Sequence, residues 1–229
     1  QQANPSAARD GFIQQVQQLS RSPALEQPKS STFYQNIGFG VLVEGMQNEI
    51  LYALMTQWTQ EVVHTPLHAY FSLSRLAPDS HLAEFPFQLS LSDRPVQIKK
   101  IQQLFAQAGI AIEALNEANS ARYLIGAIDL VYFDGQRYHI ADYKSNFLGK
   151  AQQEYRLSEI QRNMSSSSYW LQAAIYLLAL HRYLKVQLQD YDIAQHLGGA
   201  SYLYLRGMNG DANYGVCHWQ PTADFIQKI

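Results

Sequence analysis

Along residues 50–62 the apolar positions Ile50, Leu51, Leu54, Trp58 and Val62 fall three and four apart, the stripe of an amphipathic helix. Upstream, "NPSAARDGFIQQVQQLS" predicts another helix starting at Ser6, and residues 21–31, with two prolines, read as a polar loop. The period changes at "AEFPFQLSLSD", where Phe85, Phe87, Leu89 and Leu91 alternate with Pro86, Gln88 and Ser90. That alternation predicts a half-buried strand, and Pro86, with no amide for a ladder, places it at a sheet edge. A short helix over 98–108, a polar link over 150–163, a strand in "GGASYLYLRG" and a terminal helix in "TADFIQKI" follow. The segment "SSSSYWLQAAIYLLALHRYLKVQL" predicts a helix whose serines cap its start and whose apolar residues run nearly all round, implying burial on several sides.

Residues 128–145, "IDLVYFDGQRYHIADYKS", form an apolar run that turns at Asp134-Gly135 and returns carrying Asp129, Asp142 and Lys144. With a two-residue turn, Phe133 faces Gln136, Asp129 faces Ile140, Asp142 faces Ala127 and Lys144 faces Ile125. All three charged groups then share one face, the aspartates about 7 to 8 Å apart as diagonal neighbours. A three-residue turn would send the aspartates to opposite faces. Two carboxylates this close on an apolar surface repel each other, and a hard dication such as Mg²⁺ is the natural compensation. An isolated D-x-K is more often a strand end with surface ion pairs; the shared face and apolar flanks point instead to a site.

The remaining features narrow the function classes. Hydrophobic residues make up 47% of the 229-residue chain and charged ones 16%, against about 25% in ordinary globular proteins, so this is a packed chain. Its 17 Lys and Arg against 19 Asp and Glu give a net charge of -2, which announces no polyanion-binding surface. Cys217, the single cysteine, permits no internal disulfide and reads as a packed residue; with no long apolar run, a cytoplasmic protein without membrane contact is expected. His64 and His68 are separated by Pro66 and read as surface or capping residues. There is no G-x-x-x-x-G-K-[ST] phosphate loop and no G-x-S-x-G elbow.

The order acidic residue, hairpin, then D-x-K resembles the restriction-endonuclease-like PD-(D/E)XK nucleases. More closely, "GAIDLVYFDGQRYHIADYKSNFLG" with "LLALHRYL" and "GGASYLYLRG" resembles the C-terminal nuclease domain of RecB subunits of the bacterial RecBCD helicase-nuclease, or exonuclease V, densely from Tyr123 to Gly207 and thinly before Glu84. The resemblance implies an α/β fold with a mixed central β-sheet flanked by helices and a helical N-terminal part. It predicts a single nuclease domain over 1–229, with 1–82 mainly helical and 83–229 the nuclease core, belonging to a larger helicase-nuclease subunit.

Carried over by position, the family's metal-binding aspartates fall on Asp129 and Asp142, the backbone carbonyl of Tyr143 reaches the metal, and the catalytic lysine falls on Lys144. The strand glutamate corresponds to Glu84, a metal or catalytic group, and the Q-x-x-x-Y element to Gln172 and Tyr176 near the substrate. The implied activity is Mg²⁺-dependent hydrolysis of DNA phosphodiesters, with Mn²⁺ as substitute, during double-strand break processing. ATP is used elsewhere in the parent protein, RecC and RecD are the partners, and DNA arrives as single strands. The family's metal-binding histidine, in a G-x-x-x-H-like setting, has no match between Gln1 and Leu51. A chain starting at Gln1 therefore reads as a piece beginning just after that helix, with weak or no activity alone; an inert module that docks or guides a strand is the alternative.

Overall fold

The computed structural model describes residues 48–90, 98–113 and 123–229; the helix expected from Ser6, the loop over 21–31, Leu91 and nearly all of the segment searched for the histidine lie outside these. The 50–62 stripe is helix α1 (Asn48–His64), with Val62 buried and Trp58 donating its indole N–H to the Leu205 carbonyl. It is followed not by more helix but by a small hairpin, β1 (Pro66–His68) and β2 (Phe71–Ser72), and a 3₁₀ turn at Leu73–Arg75. Proline at 66 ends α1, since it cannot continue the amide ladder.

The central sheet has five strands in the order β3 (His81–Ser90), β4 (Tyr123–Phe133), β5 (Tyr138–Lys144), β6 (Leu197–Tyr204) and β7 (Val216–Trp219). All neighbours are antiparallel except β5 and β6, so the sheet is mixed, as the resemblance implies. Pro86 does lie on an edge strand, with Phe85 and Leu89 buried.

Helices cover one face of the sheet. They are α2 (Ile98–Gln107), α3 (Leu157–Ser166), α4 (Tyr169–Gln187) and the terminal α6 (Ala223–Lys228), and their core includes Phe105, Ile160, Leu177, Leu180, Ile140 and Tyr202. A short α5 (Ile193–His196) leads into β6. The opposite face carries α1 and the β1–β2 hairpin over Leu130, Tyr132, Ala141 and Leu203.

Two expectations are corrected along α3 and α4. The link over 150–163 is not a loop but a 3₁₀ turn, Gln152–Tyr155, and the start of α3, whose Ile160 and Met164, one helical turn apart, are fully buried. Two apolar residues at i, i+4 in a polar context suffice for an amphipathic helix. The serines do not cap α4 through their side chains: Ser165 and Ser166 belong to α3 and bond back to its carbonyls, while Ser168 takes a left-handed conformation between the helices. Thr222 does cap α6, accepting from Phe225 N.

Candidate active site

The β4–β5 hairpin closes more loosely than the sequence suggests. Asp134 Oδ1 accepts the amides of both Gln136 and Arg137 at 2.8 Å, an Asx turn that stabilises a four-residue connection. Phe133 therefore faces Tyr138, not Gln136, and the register moves by two. Because the shift is even, the faces are preserved, and Asp142 and Lys144 stay on the side covered by α4. The predicted partners Ile140 for Asp129, Ala127 for Asp142 and Ile125 for Lys144 are replaced: β4 and β5 pair only as far as Leu130 with Ala141, and one step further lies Asp129 opposite Asp142.

At that step the strands part. Asp129 Oδ2 accepts the Tyr143 amide at 2.8 Å, so a carboxylate stands where a strand acceptor would be. On the edge strand Glu84 sits opposite Asp129, between the pairs Ala83 with Leu130 and Phe85 with Ile128, and has a left-handed φ of 52°. The ordinary alternation slips at this row: Leu82 and Phe85, like Ile128 and Val131, are three apart and yet enter the same core. A left-handed glutamate costs on the order of 1 kcal/mol and persists where its surroundings fix it, commonly at functional sites.

Lys144 Nζ lies 2.5 Å from the buried Asp142 Oδ2, a close ion pair in which the ammonium is that oxygen's partner. The same ammonium donates to Gln172 Oε1 at 3.1 Å and lies over the rings of Tyr169 and Tyr202, 4.0 and 5.1 Å from their centroids. Gln172 Oε1 also accepts from Tyr202, and its amide nitrogen donates to Tyr176, one turn along α4. Gln172 and Tyr176 are thus brought to the lysine, a placement their i, i+4 spacing allows.

Burial pushes the Asp142 carboxyl up to about 6; Lys144 opposes this and the nearby Asp129 charge adds to it. Glu84 is raised as well, first by burial and then by Asp129. Three carboxylates thus stand on one row of the sheet, Glu84 opposite Asp129 and Asp129 opposite Asp142; oxygen donors are the kind a hard divalent cation prefers.

A second polar cluster, on the other face of the sheet, was not assembled from the sequence. His68, read there as a surface residue, is instead half-buried: the hairpin returns it over the sheet, where its ring stacks on His139 with centroids 4.2 Å apart. Among the described residues, His68, Asp134 and His139 hold their potential ligand atoms within 4.8 Å of one another. Stacking and hydrogen bonds already engage most of these groups, while the buried His68 Nε2, 4.0 Å from Asp134, has no hydrogen-bond partner. The two rings are within 16° of parallel, so their in-plane lone pairs do not meet, and Gly199 N donates to His139 Nδ1, which leaves the His139 proton on Nε2, 3.0 Å from Asp134. The cluster is a structural lock joining turn, hairpin and β6. It also explains a glycine, since a Cβ at Gly198 would overlap the His139 ring.

Burial alone would raise Asp134, but bonds from His139 and the turn amides outweigh it and hold the carboxyl well below the usual range. Burial lowers His68 to about 4 and His218 to about 3, reinforced by their imidazole neighbours and opposed by Asp134. The unfolded chain protonates these imidazoles near the ordinary 6.5, so it binds more protons between about 6.5 and those values, and their contribution to stability is lost as pH falls through that window. Asp142 contributes the opposite sign below about 6, so the readout is a difference between variants. His218→Gln, which keeps a partner for Ser201, is expected to flatten the pH dependence of the urea midpoint between pH 7 and 5 by up to about one proton. Parallel wild-type and variant profiles would contradict the buried-neutral assignment.

Comparison with known proteins agrees with this geometry. The family model for the PD-(D/E)XK nuclease superfamily matches residues 33–217. The RecBCD enzyme subunit RecB of Haemophilus influenzae is 35% identical over 177 residues, 76% of this chain and 15% of that protein. The RecB subunit of Escherichia coli is 33% identical over the same shares, and that of Mycobacterium tuberculosis (strain CDC 1551 / Oshkosh) 43% identical over 115 residues, 47% of this chain and 10% of that protein. The chain thus spans about 15% of the length of the first two relatives. On its mixed sheet, its match across the nuclease core and these relatives, the chain belongs to the PD-(D/E)XK nuclease superfamily as a RecB-like domain.

Proposed function

We propose that this domain is a Mg²⁺-dependent deoxyribonuclease that hydrolyses DNA phosphodiester bonds. The observation that carries the reading is the meeting of Asp129, Asp142 and Lys144 where β4 leaves β5, with the buried Asp142 carboxylate opposite Asp129 and paired to Lys144. Asp129 and Asp142 would hold the cation, with the Tyr143 carbonyl and Glu84 as further oxygens. A bound Mg²⁺ supplies charge for the phosphate oxygen and acidifies a water.

The chain's own groups do the rest. Asp142 keeps the Lys144 ammonium at the row, and Gln172 and the tyrosine faces fix its direction. Lys144 orients the attacking water and stabilises charge on the phosphate; beside carboxylates it is poorly suited to removing a proton. Tyr176 holds Gln172 from behind. In the longer protein, ATP-driven unwinding is done elsewhere, single strands are delivered to this site during double-strand break processing, and RecC and RecD are the partners; the RecB names of the relatives support this setting.

Incubating the chain with labelled oligonucleotides and Mg²⁺ or Mn²⁺ should give slow cleavage that a chelator stops, slow because the family's metal-binding histidine has no match between Gln1 and Leu51. Absence of cleavage with either metal, and of Mn²⁺ binding by calorimetry, would favour an inert docking or strand-guiding module. Gln172→Ala is expected to lower kcat about tenfold while leaving Mn²⁺ affinity within about twofold, because it frees the lysine without touching a carboxylate. A parallel loss of metal affinity would show instead that Gln172 supports the whole site.

A further inference from the structure

Phe147 is a large apolar side chain, 63% exposed, three residues after Lys144. Its backbone is anchored on both sides: Arg206 Nε donates to the Ser145 carbonyl at 2.9 Å, and Leu148 N donates to the Tyr155 hydroxyl at 3.3 Å. Asn146 is held by Tyr169, whose ring also underlies Lys144. The guanidinium of Arg206 lies 6.0 Å from the Phe147 ring centroid, at the limit of a cation–π contact. An aromatic ring is therefore presented to solvent on a pinned segment, beside a cation and at most about 10 Å of backbone from the Lys144 Cα.

Ordinary burial does not account for such a ring, since Leu148, the next residue, packs on the core while Phe147 points away. The geometry points to Phe147 and Arg206 as a stacking platform for a base of single-stranded nucleic acid, next to the phosphate held at Lys144. This rests on the nuclease reading and deepens it by naming the residues that would hold a base of the strand beside the site. The occupant follows from charge and shape: a ring stacks on any base, and the Arg206 guanidinium beside it and Lys144, three residues earlier in the chain, bring positive charge for the phosphates. A net charge of -2 leaves little general attraction for DNA, so a local anchor of this kind has more effect.

The test uses the whole chain with Ca²⁺, which permits binding without relying on turnover, and a single-stranded oligonucleotide carrying 2-aminopurine. Wild-type protein should quench the probe by stacking. Phe147→Ala should weaken binding about 5- to 100-fold and remove the quenching, whereas Phe147→Trp should retain both. Because the side chain is exposed, all three proteins should melt alike. Equal affinity and equal quenching for wild type and Phe147→Ala would overturn the platform and assign the ring to a protein contact. If Mg²⁺-dependent cleavage is present and lost in Asp142→Asn, that failure would leave the nuclease reading standing; if wild-type protein neither binds nor cleaves, both fall.

Discussion

Asp142→Asn is expected to abolish DNA cleavage, with a loss of about a thousandfold or more, and to remove the Mn²⁺ binding seen by calorimetry. The substitution keeps the side-chain shape but removes the charge that faces Asp129 across the parted strands and pairs with Lys144 at 2.5 Å. Asp142 is 3% exposed, and a buried carboxylate left ionised against two other acids has no stabilising partner except the lysine and a cation. Lys144→Ala is the informative companion: it should retain metal binding and still cleave poorly, because the lysine touches the carboxylate and Gln172 but supplies no ligand oxygen. Undiminished cleavage by Asp142→Asn, with circular dichroism unchanged, would remove this row of residues from the chemistry.

Phe105→Ala is the substitution with the largest expected effect on stability. Phe105 on α2 is fully buried, packs edge-on to Phe225 of α6 at 5.2 Å and lies 6.0 Å from Trp219 of β7, which in turn meets Trp170 of α4. One ring thus joins a helix, a strand and the C-terminal helix, and truncation leaves a cavity that none of these can fill alone. Denaturant unfolding should show a loss of about 3 to 5 kcal/mol. A loss below about 1 kcal/mol would mean that α2 contributes little to the helical layer.

The sequence carried the site further than it carried the local geometry. Alternation put Asp142 and Lys144 on one face whatever the turn, and put Asp129 with them for an even register; the true register differs from the expected one by two, so Asp129 still comes opposite the strand position of Asp142. What alternation could not reveal is the break at Glu84 and Asp129, since a left-handed glutamate leaves no trace in a hydrophobic pattern. The longer turn left no separate mark, since Asp134-Gly135 is also the pair a two-residue turn favours, and only the fold shows Asp134 taking the Gln136 and Arg137 amides. His68 was misplaced because its partners, His139 and Asp134, are about 70 residues away in sequence, and only the sheet brings them together. The helix at Leu157–Ser166 was obscured by its serines and charges, with Ile160 and Met164 its main apolar marks.

The two candidate aspartates are not equivalent in their duties. Asp129 answers a main-chain donor of the neighbouring strand, so it acts as a rivet at the fork as well as an anion, while Asp142 answers a side chain, the Lys144 ammonium. Truncating the first therefore conflates lost chemistry with a sheet that unzips further. Only an amide replacement, which can still receive the Tyr143 proton, separates those two roles.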